Sequence, residues 1–383
     1  MKQKIKKMTT SLVVLLILTS CSPDARELDE RSMILGLAID RGEEKLYKVS
    51  IQLPILAEEP NSGAEQASRE FEVFSVESDA LWEAFAELES YTPSVLFFGH
   101  LKVVAISEEL ARNGLGDVID TLDREATVAN QVSLIIVEGK AEEFIRTESP
   151  LINLPALYLH RFFQADQKIS RAERIKLFEF LRDTNMISNA ATLPLGRIND
   201  ESIVIEGLGV FKDYSMVGKL RMVQAGVSQL LKNNEVDDMN ITVVVDHVGK
   251  KVTSSITRMH LKQKVRFDKE SPITFTLDVR GEGQLIALSD VTARETPEFL
   301  ESLETTVEEE VKKEIEAAIE EMKKINIEPW LLGHRVWATN PRLFEKLDWE
   351  TTGWKNANFE ITVDFEINDT GQRGYYNKKK IGR

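Results

Sequence analysis

Residues 101–112 read Leu-Lys-Val-Val-Ala-Ile-Ser-Glu-Glu-Leu-Ala-Arg, and this stretch decides the class of fold that we expect. Leu101 to Ile106 is an apolar run of the length of a buried strand. Ser107 then caps a short helix that covers Glu108 to Arg112. A buried strand that leads directly into a helix indicates that strands and helices share one domain.

The flanking segments repeat this mixture. In the segment Tyr47 to Leu53, the apolar residues Val49 and Ile51 alternate with Ser50 and Gln52, which is the period of a half-buried strand. A helix is predicted from about Asp79 to Tyr91. The elements predicted after it are a helix over 115–122, a strand over 132–137, a short helix over 141–146 and a longer helix over 170–183. Because no strict βαβ rhythm is present, the pattern predicts an α+β fold.

The second half is richer in strands. Ile203 to Phe211 and Met216 to Leu220 flank a turn and predict a hairpin. Long alternating segments follow, and they predict strands over 240–247, 252–267, 273–288 and 359–367. This change of texture after about residue 200 indicates more than one domain.

The longest predicted helix begins at the cap Thr296, has Pro297 in its first turn, and ends at about Lys324. At about 1.5 Å per residue it would be roughly 43 Å long. One face carries an apolar stripe, made of Leu303, Val307, Val311, Ile315, Ile319 and Met322. The stripe could bind a partner, but we favour packing against the chain's own sheet.

The N-terminus has the composition of a secretory signal segment. Basic residues from Lys2 to Lys7 precede the apolar run Leu12 to Leu18, which is too short to cross a bilayer as a helix. The sequence Leu18-Thr19-Ser20-Cys21 has the pattern of a bacterial lipobox, in which the Cys thiol receives a diacylglyceryl group. Cys21 is the one Cys in 383 residues, so it has no partner for an internal disulfide. We therefore predict Cys21 as a lipid-attachment site.

These observations predict a multi-domain α+β protein, with three domains, mixed sheets, packed helices and a long amphipathic helix in its last domain. The predicted units are a signal peptide over 1–20, a lipidated tether over 21–31, an N-terminal α+β domain over 32–190, a connecting hairpin or small middle domain over 191–222, and a C-terminal α+β domain over 223–383.

The chain is acidic. Its formal net charge is −15, and removal of residues 1–20 takes away four Lys and leaves −19. A surface of this charge is poorly suited to nucleic acid, whose binding depends on basic patches. It would also be repelled by anionic lipid, so we expect the folded part to stand away from the membrane unless a partner holds it.

The sequence predicts no enzyme, no cofactor and no metal site. His100, His160, His247, His260 and His334 lie far apart, and the single thiol is in the lipobox. No HExxH, phosphate loop, GxGxxG or GxSxG motif is present. The adjacent acids at 237 and 238 lack the spaced oxygen ligands of a calcium loop.

Four Trp residues lie close together, at positions 330, 337, 349 and 354. Trp is common in interfaces, so this group could mark a binding surface. We favour the other interpretation, in which the aromatic rings close the core of a small domain. The residues alone thus favour a binding or scaffold role and do not name the ligand.

Several stretches in a fixed order resemble the C subunit of bacterial spore germinant receptors, the Ger(x)C lipoprotein family. The stretches are the lipobox, Arg26 to Leu28, Gly36 to Asp40, Tyr47 to Gln52, His100 to Ala111, Arg124, Gly209 to Asp213, Glu282-Gly283, the Pro341 helix with Trp349, and Phe359 to Gly371. The similarity covers nearly the whole mature chain. The family usually has Gly before the lipidated Cys and Trp after it, where this chain has Ser20 and Ser22.

The resemblance implies a three-domain α+β protein, lipid-anchored through Cys21 to the outer face of the spore's inner membrane. It also implies two membrane-spanning partners, an A subunit and a transporter-like B subunit, in nutrient-triggered germination. Our hypothesis is that the chain braces or couples this complex without catalysis; direct binding of a small molecule stays open. The alternative is an extracytoplasmic solute-binding lipoprotein of a transporter, which would need two similar α/β lobes around a cleft.

Overall fold

The structure is a computed structural model that describes residues 31–55, 70–148, 153–164, 170–200, 202–221, 223–289 and 296–369. Its strands are β1 (Arg31–Met33), β2 (Gly36–Arg41), β3 (Tyr47–Pro54), β4 (Phe71–Ser78), β5 (Val95–Phe97), β6 (Val103–Ser107), β7 (Ser133–Glu138), β8 (Ile175–Lys176), β9 (Ala190–Asn199), β10 (Ser202–Lys212), β11 (Ser215–Leu220), β12 (Glu235–His247), β13 (Lys250–Phe267), β14 (Thr274–Leu288) and β15 (Asn358–Asp369).

The α-helices are α1 (Leu81–Glu89), α2 (Glu108–Asn113), α3 (Gly116–Arg124), α4 (Ala141–Arg146), α5 (Pro155–Gln164), α6 (Leu177–Thr184), α7 (Val223–Asn233), α8 (Pro297–Lys324), α9 (Leu332–Thr339), α10 (Pro341–Leu347) and α11 (Trp354–Asn356). A 3₁₀ turn covers Phe98–His100 and a π turn covers Trp349–Gly353. Within the described residues, no helix has both the length and the apolar character needed to cross a bilayer.

The first half is built on a large mixed sheet with the strand order β11-β10-β9-β7-β6-β2-β3-β4, and β8 pairs with β7. The central strands β2, β6, β7 and β9 run parallel to one another. The outer strands β3, β4, β10 and β11 pair antiparallel. A short parallel pair, β1 with β5, lies outside this sheet.

Helices cover both faces of the large sheet. Val104 on β6 belongs to a core that includes Phe85 and Phe180, whereas its neighbour Val103 belongs to the opposite core with Phe144. Side chains alternate between the two faces along a strand, so a strand that is covered on both sides must be apolar at every position. This requirement explains the continuous apolar run of β6.

The second half is a four-stranded sheet with the order β12-β13-β14-β15, in which the first pairs are antiparallel and β14 pairs with β15 in parallel. Helix α8 packs on one face of this sheet. Thr296 caps it by accepting a hydrogen bond from the Phe299 N–H at 3.3 Å. The predicted stripe, from Leu303 to Met322, is buried in the same core as the sheet. Packing on the chain's own sheet, the interpretation that we favoured, is therefore confirmed.

Helix α8 also closes the open edge of its sheet. The Glu304 carboxylate accepts a hydrogen bond from the Ile367 N–H at 3.0 Å, and the Glu308 carboxylate accepts one from the Phe365 N–H at 2.9 Å. Both donors belong to the edge strand β15, whose free N–H groups could otherwise pair with a strand of another chain. The two carboxylates thus satisfy edge donors that the sheet itself leaves unpaired.

The α+β class, the mixed sheets and the long helix are confirmed. The single helix predicted over 170–183 is wrong in its first half. There Ile175 pairs with Leu134 of β7 as strand β8, and the helix begins at Leu177. The Glu179 carboxylate accepts the Lys176 N–H at 2.9 Å and fixes this start. The division at residues 190 and 222 stays a prediction; strands β9 to β11 continue the large sheet.

Candidate functional site

The predicted lipid-attachment residue, Cys21, lies outside the described residues, together with the signal segment and all of the predicted tether except Arg31. Its role therefore stays a prediction from the sequence. Across the described ranges, no three His, Cys, Asp or Glu side chains gather closely enough to hold a metal ion. The acidic pair at 237 and 238 is used locally. Asp237 contacts His260, and the Asp238 carbonyl accepts a hydrogen bond from the Ser170 hydroxyl at 2.8 Å.

The Trp group closes a core, as we favoured. Trp330, Trp349 and Trp354 are buried, and Trp354 contacts Trp330 edge-on and Trp349 in a tilted arrangement. The indole N–H of Trp330 donates to the Ser228 hydroxyl of α7 at 2.9 Å. Trp337 differs from the other three, since 42% of its surface is exposed.

A buried ion pair joins the two halves of the molecule. Lys232, near the end of α7, is buried and places its ammonium 2.7 Å from the carboxylate of Asp183 on α6. Glu173 lies 3.9 Å from the same ammonium, and Arg182 contacts Asp183 at 2.8 Å. Burial alone would lower the pKa of Lys232, but the carboxylates of Glu173 and Asp183 outweigh it and raise that pKa. Lys232 is thus held charged inside the junction.

A second buried acid, Glu328, orders the segment between α8 and α9. Its carboxylate accepts the Trp330 N–H at 2.7 Å and the Gly333 N–H at 2.9 Å. Burial raises the pKa of Glu328 to about 7, although these backbone hydrogen bonds oppose the shift. A cavity of about 20 Å³ beside it is lined from the first half by Ser188 and Lys212. The Glu328 segment therefore lies, like Lys232, where residues of the two halves meet.

The open face of the four-stranded sheet forms a shallow groove of about 1350 Å³. Its floor carries exposed charges of both signs, among them Lys262 and Arg266 on β13 and Asp364 and Glu366 on β15. Arg266 pairs with Asp278 at 2.5 Å. This groove is wide and charged, unlike the apolar, enclosing pockets that bind small molecules.

Two family models account for most of the chain. The family described as "Spore germination protein N-terminal domain" matches residues 24–198. The family described as "Spore germination B3/ GerAC like, C-terminal" matches residues 206–371. The chain belongs to the Ger(x)C family of spore germination proteins. The resemblance noted in the sequence is thereby confirmed.

Known members of the family match along most of their length. Spore germination protein KC of Bacillus subtilis (strain 168) is 21% identical over 387 residues, which cover 94% of this chain and 95% of that protein. Spore germination protein GerQC of Bacillus cereus is 20% identical over 302 residues, with 79% and 83% covered. A crystal structure of the GerBC protein matches with a TM-score of 0.51 at 17% identity, covering 87% of this chain and 96% of that one. At this identity the last match shows a shared fold.

The junction of this Ger(x)C protein was not predicted from its sequence. Lys232 lies in helix α7, where it belongs to a polar stripe with Gln224 and Ser228 that is typical of a solvent-exposed face, yet the helix is buried from Ala225 to Lys232. Glu328 did leave a signal, because it is a single acid between Ile327 and the segment Pro329 to Leu332. A charged residue inside such an apolar run is rarely buried without partners.

Proposed function

We propose that this chain is a lipid-anchored, non-catalytic subunit of a spore germinant receptor, needed for nutrient-triggered germination. Its role in the receptor is to brace or couple the membrane-spanning A and B subunits. The observation that carries the proposal is the family match, which covers residues 24–198 and 206–371 and so includes both halves of the molecule. Among the relatives, one is named spore germination protein B3 and matches 38% of this chain.

The proposed location is the outer face of the spore's inner membrane, with lipid on Cys21. The lipobox pattern supports this location, since it ends in a thiol that has no disulfide partner in the chain. Anchoring by two acyl chains is stable, whereas one chain binds a membrane only marginally. Lipid on Cys21 would hold the folded halves close to the membrane-spanning subunits.

The buried junction supports a coupling role. The Lys232–Asp183 pair is formed by helices from different halves, and replacing either partner would take from the other its nearest buried counterion. A force that moves one half must therefore move the other half or break this pair. A subunit of this kind can pass a displacement between two partners without any chemical step.

The alternative, a solute-binding lipoprotein, fits the fold less well. It would need two similar lobes on either side of a cleft. Here the first half has a large mixed sheet with helices on both faces, whereas the second has four strands with α8 on one face. The two halves are therefore unlike in both size and strand order.

The test replaces Cys21 with Ala in spores, with Glu30→Gln in the tether as a matched control. We expect the Cys21→Ala protein to leave the membrane fraction and the response to one class of nutrient to be lost, while the control behaves as wild type. If the Cys21→Ala protein stays in the membrane fraction and germination is unchanged, both the anchor and the receptor role must be abandoned.

A further inference from the structure

The parallel strands β2, β6 and β7 of the large sheet begin side by side, so their N-terminal ends form one edge of the sheet. Gly36 of β2 is level with Val103 of β6, and Val103 is level with Ser133 of β7. The described chain also enters at this edge, because β1 leads directly into β2. We call this region the basic edge, and define it by Arg31, His100, Lys102 and Arg174.

Direct contacts connect the members of the basic edge. The Arg31 guanidinium lies over the Phe97 ring at 4.5 Å, and the Phe97 and His100 rings are 5.9 Å apart between centroids. Two residues after His100, the Lys102 N–H donates to the Leu35 carbonyl at 2.9 Å, just before β2. Arg31, His100 and Lys102 therefore lie near one another, where strands β1, β2 and β6 begin.

The positive charges of Lys102 and Arg174 both affect the same neighbour, His160 of α5, through electrostatic repulsion. Burial lowers the pKa of His160, and the positive charges of Lys102 and Arg174 lower it further. Beside Arg174, Lys176 pairs with Ser133 at the start of β7. Lys102, just before β6, and Arg174, just before β8, thus lie at the same edge.

Within the described residues, the cations of the basic edge have no acidic partner. In the part of the chain that the structure describes, Arg31, Lys102 and Arg174 form no salt bridge. Two acids of the described residues, Glu173 and Glu70, lie nearby without pairing with these cations. Glu173 lies near Lys232, whereas Glu70 accepts a hydrogen bond from the neutral Asn153 amide at 2.8 Å and keeps its negative charge.

The chain itself brings this edge close to the proposed anchor. Nine residues separate Cys21 from Arg31, and a fully extended chain spans at most about 3.6 Å per residue, so Arg31 lies no more than roughly 36 Å from the lipidated thiol. We propose that the basic edge lies against the anionic head groups of the lipid membrane. The proposal rests on the anchoring of Cys21 and adds which surface of the folded chain faces the lipid.

Net charge and the basic edge predict opposite signs for the effect of anionic lipid. The mature chain carries a formal charge of −19 once residues 1–20 are removed from the −15 of the whole sequence. If net charge decided, anionic lipid would repel the protein. If the basic edge decides, each basic residue near the surface increases partitioning roughly fivefold. The direction of the effect therefore separates the two cases.

The experiment uses the mature chain, residues 21–383, with Cys21→Ser so that no lipid is attached. Binding is measured by co-sedimentation with vesicles of phosphatidylcholine alone and of phosphatidylcholine with 40% phosphatidylglycerol, in low salt. We expect binding to increase with phosphatidylglycerol and to weaken in 0.5 M salt. Lys102→Glu with Arg174→Glu should reduce binding to the anionic vesicles at least tenfold.

The matched control is Lys264→Glu with Lys355→Glu, which makes the same charge change at exposed positions of the second half. The control should bind as the parent does. Binding that is unchanged or lower with phosphatidylglycerol would overturn the proposal, as would an equal loss in both double variants. Should the Lys102 variant not fold, the lipid and salt dependence of the parent still decides.

This measurement is independent of the anchor. Because the tested chain carries no lipid, a failure of Cys21 to be acylated in spores would leave the vesicle result unchanged. Conversely, a chain that is anchored in spores but ignores anionic vesicles would keep the proposed function and lose the basic edge.

Discussion

At the scale of single residues, Glu328 is a carboxyl group whose pKa is raised by burial and lowered by hydrogen bonds from the backbone. Burial raises its pKa to about 7, well above the ordinary value of 4.5, while backbone N–H groups stabilise its charged form. The folded chain therefore binds this proton more tightly than the unfolded chain does. By linkage, the stability from this group is fully present below about pH 4.5 and is lost as pH rises through 7.

We predict that Glu328→Gln removes this step from the pH profile. Between pH 5 and 8, the free energy of unfolding of the wild type should fall relative to that of the variant, by on the order of 3 kcal/mol if the full shift is realised. Urea unfolding at several pH values measures it.

The control for this measurement is Glu350→Gln, an exposed acid that lines the same small cavity. The difference in the free energy of unfolding between Glu350→Gln and the wild type should change little between pH 5 and 8. A difference between wild type and Glu328→Gln that is constant from pH 5 to 8 would show that burial does not perturb this carboxyl group.

At the scale of elements, the apolar stripe of α8 predicted both the helix and its buried face, whereas the burial of the polar stripe of α7 could not be predicted. The apolar stripe of α8 repeats at helical spacing because the helix has one solvent-exposed face and one buried face. Helix α7 also has a periodic pattern, because its polar residues Gln224, Ser228 and Lys232 recur every four positions, but the helix is buried from Ala225 to Lys232, which the pattern of a surface helix does not predict. The start of β8 was missed for another reason, since only pairing with β7, which is distant in sequence, holds Ile175 in a strand.

The buried face of α8 should carry much of the stability of the second half. Ile315 is fully buried in its core. We predict that Ile315→Ala lowers the free energy of unfolding by about 2–5 kcal/mol, through lost apolar burial and the cavity that remains. The exposed neighbour Glu316→Ala should stay within about 0.5 kcal/mol of wild type. If urea unfolding shows that Ile315→Ala and Glu316→Ala lower the free energy of unfolding equally, packing of α8 does not stabilise the sheet.

At the scale of the whole molecule, the relation between the two halves depends on contacts that no local pattern reveals. Residues 232 and 183 are far apart in sequence, and only the folded chain brings them within 2.7 Å. The fold class could be predicted because the spacing of apolar residues within each segment identifies helices and strands without knowledge of distant contacts. The junction could not, since it depends on how complete elements pack. Cys21 was identified from local sequence, yet its attachment to lipid is still to be tested.

The junction gives a prediction at this scale. Lys232→Met would leave the buried Asp183 with only the partly exposed Arg182 as its counterion and would remove the ammonium near Glu173, so it should lower stability by up to about 3–5 kcal/mol. Lys264→Met, at an exposed position without an ion pair among the described residues, should change stability by no more than about 0.5 kcal/mol. Thermal unfolding of both variants compares them, and a Lys232→Met protein as stable as the control would rule out the ion pair as a brace.

The pairing of β9 with β10 bears on how this family can change during evolution. The two family models meet between residues 198 and 206, yet Ile198 and Ile203 are paired across that boundary within one sheet. A recombination event at this point would join a β9 to a β10 from a different ancestor, and their registers would have to agree. We therefore expect exchange of halves between diverged genes to be disfavoured and the two halves to be inherited together.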